Sequence, residues 1–137
     1  MERYKVILVD DEAESIEEME AKIRWNELGF DVVGHAADGV KALEMEERLQ
    51  PDVVLTDIKM SYMDGLELSR RLNQDYPNIY IILCTASDKF EHAREAVHLD
   101  IKEYILKSVH TSELSKTVME LKRILDREHG TCFGQFV

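Results

Sequence analysis

The chain has 137 residues, a formal net charge of −11, and a composition that is 45% hydrophobic and 33% charged. That length holds one sizeable core and not two independent ones, and that composition excludes a disordered chain. So acidic a surface repels a duplex phosphate backbone, which argues against nucleic-acid binding by this segment and for a divalent cation or a basic protein surface.

In chain order, Met1-Glu2-Arg3 leads into a strand predicted over 4–9 that stops at Asp10-Asp11. Its apolar part is too short for a signal-peptide core or a membrane span, so a cytoplasmic location follows by default. Ile16, Met19 and Ile23 then fall at helical spacing, and the acidic stretch Glu12 to Glu20 reads as the solvated face of that helix. A second strand is predicted over 30–36, and Ala42, Met45 and Leu49 mark a second helix. The third strand, 53–56, ends at Asp57 and is followed by the stripe Leu68, Leu72 and Tyr76. The fourth strand is predicted over 79–85. Asp88 and Glu91 after it have the spacing of a capping box. The fifth, 104–106, precedes the long stripe Leu114, Val118, Leu121 and Leu125. Asp38-Gly39 and Asp64-Gly65 mark turns before helices, while Pro51 and Pro77 each end one. From Glu128 the helical pattern is lost around Gly130 and Gly134. The division is therefore one domain over 1–127, with 128–137 a linker start or tail.

Two cysteines, Cys84 in an apolar run and Cys132 in the tail, make neither a disulfide framework nor a zinc site. The histidines, among them His92 and His98 on one helical stretch, lack ligand spacing.

Strict βα alternation implies a parallel sheet with helices on both faces. In such sheets ligands bind beyond the carboxyl ends of the strands. Those ends deliver Asp10, Asp11 and Glu12 after the first strand, Asp57 after the third, Thr85 at the fourth and Lys107 at the fifth. Close carboxylates repel one another and call for a cation, and hard oxygen ligands with open water positions suit Mg²⁺. Asp57 then offers a carboxylate oxygen that can attack phosphorus, with Mg²⁺, Lys107 and the Thr85 hydroxyl able to contact the phosphoryl oxygens. Each residue alone has a bland reading: Asp10 and Asp11 as turn residues, Lys107 as solvated, Thr85 as a strand end, Tyr104 as packing. The joint placement of Asp10, Asp11, Thr85 and Lys107 with Asp57 at one sheet edge favours the chemical one, while an aromatic in a strand such as Tyr104 is ordinarily packing.

Val9-Asp10-Asp11-Glu12, Thr56-Asp57-Ile58-Lys59-Met60, Met63-Asp64-Gly65, Leu83-Cys84-Thr85-Ala86 and Tyr104-Ile105-Leu106-Lys107 together resemble the receiver domain of two-component response regulators. Trp25-Asn26-Glu27-Leu28-Gly29-Phe30, with Phe90-Glu91-His92-Ala93, is similar to receivers attached to AraC-type DNA-binding domains. The resemblance implies a flavodoxin-like, doubly wound five-stranded parallel sheet of order 2-1-3-4-5 with five helices. It implies that Asp57 is the phosphoacceptor. Asp11 would bind Mg²⁺ directly and Asp10 mainly through water, with Asp57 and the Lys59 backbone carbonyl completing the set. Lys107 and Thr85 would bind the phosphoryl group, and Thr85 with Tyr104 would form the switch pair. The implied partners are a sensor histidine kinase, a C-terminal output domain of AraC type and possibly a second copy of the chain. The implied role is a signalling switch that assists its own phosphorylation and dephosphorylation, rather than an enzyme.

The chain departs from this pattern at Ser108, where a proline is usual after the lysine, at Ser61 and Tyr62 beside Asp57, and at Asp100 in a turn. A cis peptide before a non-proline residue costs roughly 3 kcal/mol, so the Lys107–Ser108 bond is expected to be trans, or cis and strained, in a mobile loop. None of these changes removes a reacting group. Three other readings compete. A phosphorylation-independent module of this fold would not need the intact acidic set. A phosphatase with an aspartate nucleophile would need a second aspartate where Lys59 stands. A flavin-mononucleotide carrier would need a phosphate-cradling loop where Asp10-Asp11-Glu12 repels phosphate.

Overall fold

Four consecutive buried residues, Val6 to Val9, make β1 (Tyr4–Val9) an inner strand covered on both faces. The computed structural model describes residues 3–57, 63–76, 79–85, 103–106 and 111–129; the side chains of 84–85, 103–106, 111–114 and 129 are not among those described. β1 pairs in parallel with β2 (Phe30–Ala36) on one side and with β3 (Val53–Thr56) on the other. β4 (Tyr80–Thr85) and β5 (Glu103–Leu106) extend the sheet, giving the order β2-β1-β3-β4-β5. This is the five-stranded, doubly wound order expected from the sequence.

The helices among the described residues are α1 (Ala13–Lys22), α2 (Gly39–Leu49), α3 (Gly65–Asp75) and α4 (Thr111–His129). α4 is the fifth helix of the sequence reading. The expected fourth helix, with Asp88, Phe90, His92, His98 and Asp100, lies outside the described residues, as do Ser61, Tyr62, Ser108 and Cys132.

Period-two alternation sorts the strands onto two cores. Val6, Leu8, Val53, Leu55 and Ile82 face one way, against Ile16 and Ile23 near α1 and Val118, Leu121 and Leu125 of α4. Ile7, Val9, Val54 and Ile81 face the other way, against Ala42 of α2 and Leu68 and Leu72 of α3. The register shifts between Val6 and Ile7 along β2, an irregularity the apolar run does not announce.

The turn signals act as caps. The Asp38 carboxylate accepts from the Lys41 N–H at 2.9 Å, and that of Asp64 accepts from the Glu67 N–H at 2.8 Å. Each satisfies a helix-start donor that would otherwise lack a partner. α2 ends on Gln50 in the left-handed region (φ 50°), just before Pro51.

Several boundaries differ from the periodicity, among them that of β5, which begins at Glu103 rather than 104. β4 begins at Tyr80 rather than 79, because the Ile79 N–H turns back to the Tyr76 carbonyl at 3.1 Å. α4 continues to His129, beyond the point where the stripe fades, and its last turn is fastened by the Tyr80 hydroxyl donating to Glu128. Burial and that carboxylate push the Tyr80 hydroxyl up to about 12.

The 25–30 segment is a tight turn around a buried indole. Trp25 donates from Nε1 to the Met19 carbonyl at 3.1 Å, and the Phe30 N–H donates to the Trp25 carbonyl at 2.9 Å. Gly29 has φ +93°, and a Cβ there would fall 2.2 Å from Cε of Lys122. Lys122 lies with its ammonium 5.5 Å from the Tyr4 ring centre and donates to Asp126 at 2.6 Å, while the Tyr4 hydroxyl donates to the same carboxylate at 2.8 Å. Gly29→Ala is expected to cost about 1–3 kcal/mol through the strained backbone and the displaced lysine stem. The urea midpoint, with an unchanged slope, measures it.

Candidate phosphoryl-acceptor site

The end of β1 and the end of β3 meet through the sheet itself. Val9 is the register partner of Thr56, and the Asp57 N–H donates to the Val9 carbonyl at 3.0 Å. One position further on, Asp10 and Asp57 therefore stand side by side, at the spacing of neighbouring strands, roughly 4.8 Å. The Asp10 N–H is held in turn by the Ala36 carbonyl of β2 at 3.0 Å. Three strands thus fix two aspartate backbones at one sheet edge.

Both side chains are buried: Asp10 is 1% exposed and Asp57 8%. Asp10 accepts from the Glu12 N–H at 2.9 Å, which folds the chain after β1 into a tight turn before α1. That turn brings ligand oxygens of Asp10, Asp11 and Glu12 within 4.8 Å of one another. Asp57 stands on the next strand, outside that set. The donors are all hard oxygens, one of them almost fully buried, and their mutual repulsion falls when a divalent cation enters. Mg²⁺ fits this chemistry.

The backbone around Asp57 is held by its neighbours. The Thr56 hydroxyl donates to the Asp57 carbonyl at 2.9 Å. Met63 is buried against Gly39 at the start of α2, where a Cβ would come within 2.8 Å of it. The sequence reading named Gly39 only as a turn and Thr56 only as part of a motif, and assigned neither of these contacts. A hydroxyl one residue before an acceptor and a glycine after a capping aspartate are their only signals.

The other predicted residues are located by backbone alone or not at all. Thr85 closes β4 in register with Leu106 of β5, and Tyr104 is the partner of Leu83. Lys107 is the next residue after Leu106, but it and Lys59 lie outside the described residues, as does the Lys107–Ser108 bond. Among the described residues no helix is long and apolar enough to cross a membrane.

Comparison with known proteins agrees with this geometry. The sequence profile of the response regulator receiver domain matches residues 6–119. YesN of Bacillus subtilis (strain 168), an uncharacterized transcriptional regulatory protein, is 37% identical over 124 residues, which cover 88% of this chain and 34% of that protein. The receiver domain of AraT, a response regulator from Geobacillus stearothermophilus, superposes with a TM-score of 0.85 at 38% identity, covering 91% of this chain and 97% of that one. The isolated receiver domain of RcsB from Salmonella enterica serovar Typhimurium, in the presence of the phosphomimetic BeF₃⁻, superposes with a TM-score of 0.76 at 25% identity, covering 88% and 89%. The chain thus spans only a third of YesN's length.

Proposed function

Because the chain belongs to the response regulator receiver domain family, a phosphorylation-based switch of two-component systems, we propose that Asp57 is its phosphoacceptor and a sensor histidine kinase its donor. The observation that carries this is that two buried aspartates, Asp10 and Asp57, directly follow the register partners Val9 and Thr56 at the carboxyl edge of the sheet. An Asp57 carboxylate oxygen forms the new bond to phosphorus while the bond from phosphorus to the kinase imidazole nitrogen breaks, and that nitrogen keeps the electron pair.

Asp10, Asp11, Asp57 and the Lys59 carbonyl are the ligands proposed for Mg²⁺. When bound, the ion supplies charge neutralisation for the incoming phosphoryl oxygens. Lys107 and the Thr85 hydroxyl bind those oxygens, and Tyr104 turns inward behind Thr85, biasing a two-state equilibrium. The chemistry is confined to loading and unloading Asp57, so the domain is a switch rather than an enzyme. The rest of the protein is proposed to be a DNA-binding output domain of AraC type in a cytoplasmic transcription regulator. The designation of relatives as transcriptional regulatory proteins supports the transcription-regulator part of this reading, and the segments Trp25 to Phe30 and Phe90 to Ala93 support the AraC type. A second copy of the chain is a further proposed partner on phosphorylation.

Incubation with acetyl phosphate and Mg²⁺ tests the acceptor assignment by intact-mass spectrometry. One phosphoryl group per chain, mapped to Asp57 and absent without Mg²⁺, is expected. No mass gain together with no BeF₃⁻ binding would sink the assignment and leave a phosphorylation-independent module.

A further inference from the structure

Glu46 occupies a place in α2 that helical spacing reserves for an apolar side chain. It lies i+4 from Ala42 and i−3 from Leu49, on the stripe that packs toward α3. It is 3% exposed, and its Oε2 has no hydrogen-bond partner among the described residues. A carboxylate left so is costly in its charged form and tolerable in its neutral one.

The groups facing it offer little relief. From the α2–β3 connection comes Asp52, whose carboxylate accepts from the Lys5 N–H at 2.9 Å. From the end of α3 come Asp75 and Tyr76, and the negative charges of Glu46, Glu47 and Asp75 add to burial in raising the Tyr76 hydroxyl above its ordinary value. From β1 comes the cation Lys5, but its ammonium donates to the Leu49 carbonyl at 3.4 Å. β2 meets this face of α2 through Val33 and Gly34, which carry no charge.

We propose that Glu46 is a proton-operated latch: neutral, it lets α2 seat on the α3 side of the sheet, and ionised, it loosens that packing. Burial first, and the charge of Asp52 second, push its carboxyl up to about 7. The folded value lies above the ordinary carboxylate value of 4.5, so the native state holds this proton over a range where the unfolded chain has lost it. The contribution to stability is therefore complete below about pH 4.5 and is lost as pH rises through about 7. Such a latch would make the domain's stability pH-dependent near neutrality, independently of whether Asp57 is phosphorylated.

Urea unfolding of the wild type, Glu46→Gln and Glu46→Leu across this range tests the latch. The folding constant of the wild type should fall against both variants by about tenfold per pH unit between about pH 5 and 7, then level off. Stability curves that run parallel over the whole range would overturn the proposal. A carbon-13 titration of the Glu46 carboxyl in the unaltered protein needs no variant. A midpoint close to 7 is expected, and one near 4.5 overturns the latch.

Discussion

Asp57→Asn is expected to reduce phosphorylation by a small-molecule donor by at least about 10³-fold while leaving the domain folded. The amide keeps the shape of the side chain and removes the attacking oxygen's charge. Two of the bonds that place the residue are made by its backbone: its N–H donates to Val9 and its carbonyl accepts from Thr56. Those survive the substitution. Asp57 is buried, and a neutral amide is less costly to hold there than a charged carboxylate. Stability should change by no more than about 1 kcal/mol. Intact-mass measurement after treatment with acetyl phosphate, paired with thermal unfolding of the same sample, separates the two effects. Residual phosphorylation at the wild-type rate would place the acceptor elsewhere.

Phe30→Ala is expected to have the largest effect on stability, a loss of about 3–5 kcal/mol. Phe30 is 0% exposed at the first position of β2. The Trp25 ring meets it nearly edge-on (82°) at 6.2 Å, and the Tyr4 ring lies tilted at 5.8 Å. These partners belong to a strand and a tight turn that cannot close over the void without losing their own backbone bonds. The indole and the Tyr4 ring would therefore keep their places around an empty volume. A domain of this size has only about 5–15 kcal/mol in total, so the midpoint should fall far. Met119→Ala on the outer face of α4, where the side chain is 51% exposed, should cost less than about 0.5 kcal/mol and serves as the control. Chemical denaturation at one fixed pH compares them.

Much of this architecture was legible from residue order. Continuous apolar runs such as Val6 to Val9 could only be strands buried on two faces. Asp38 and Asp64 announced their helices because a short carboxylate beside a turn caps free N–H groups. The acidic edge was legible because parallel strands that alternate with helices must all end on the same side. What escaped was set by tertiary neighbours. Trp25 lies in a turn with no period to betray that its indole is buried against Met19. Glu46 was passed over because a glutamate in a helix ordinarily faces water, and only the packing of α2 reveals that it does not. The reach of α4 to His129 depends on a hydroxyl from β4, far away in sequence. Thr85 and Tyr104 were placed by their strands, which locates them on the sheet without fixing their roles.

The alternation of β1 between two cores also makes that strand a reading frame. Val6 and Leu8 belong to one core, Ile7 and Val9 to the other, and Asp10 stands at the next step. Losing a single residue from this run would exchange every side chain between the two faces and draw Asp10 back from Asp57 by one strand step, roughly 3.3 Å. No neighbouring segment could absorb such a slip, since β1 is held by β2 on one side and β3 on the other. Spacing in this strand is thus under stricter constraint than residue identity. Exchanging one β-branched residue for another would leave the acidic edge in place, whereas a one-residue deletion would dismantle core and site together.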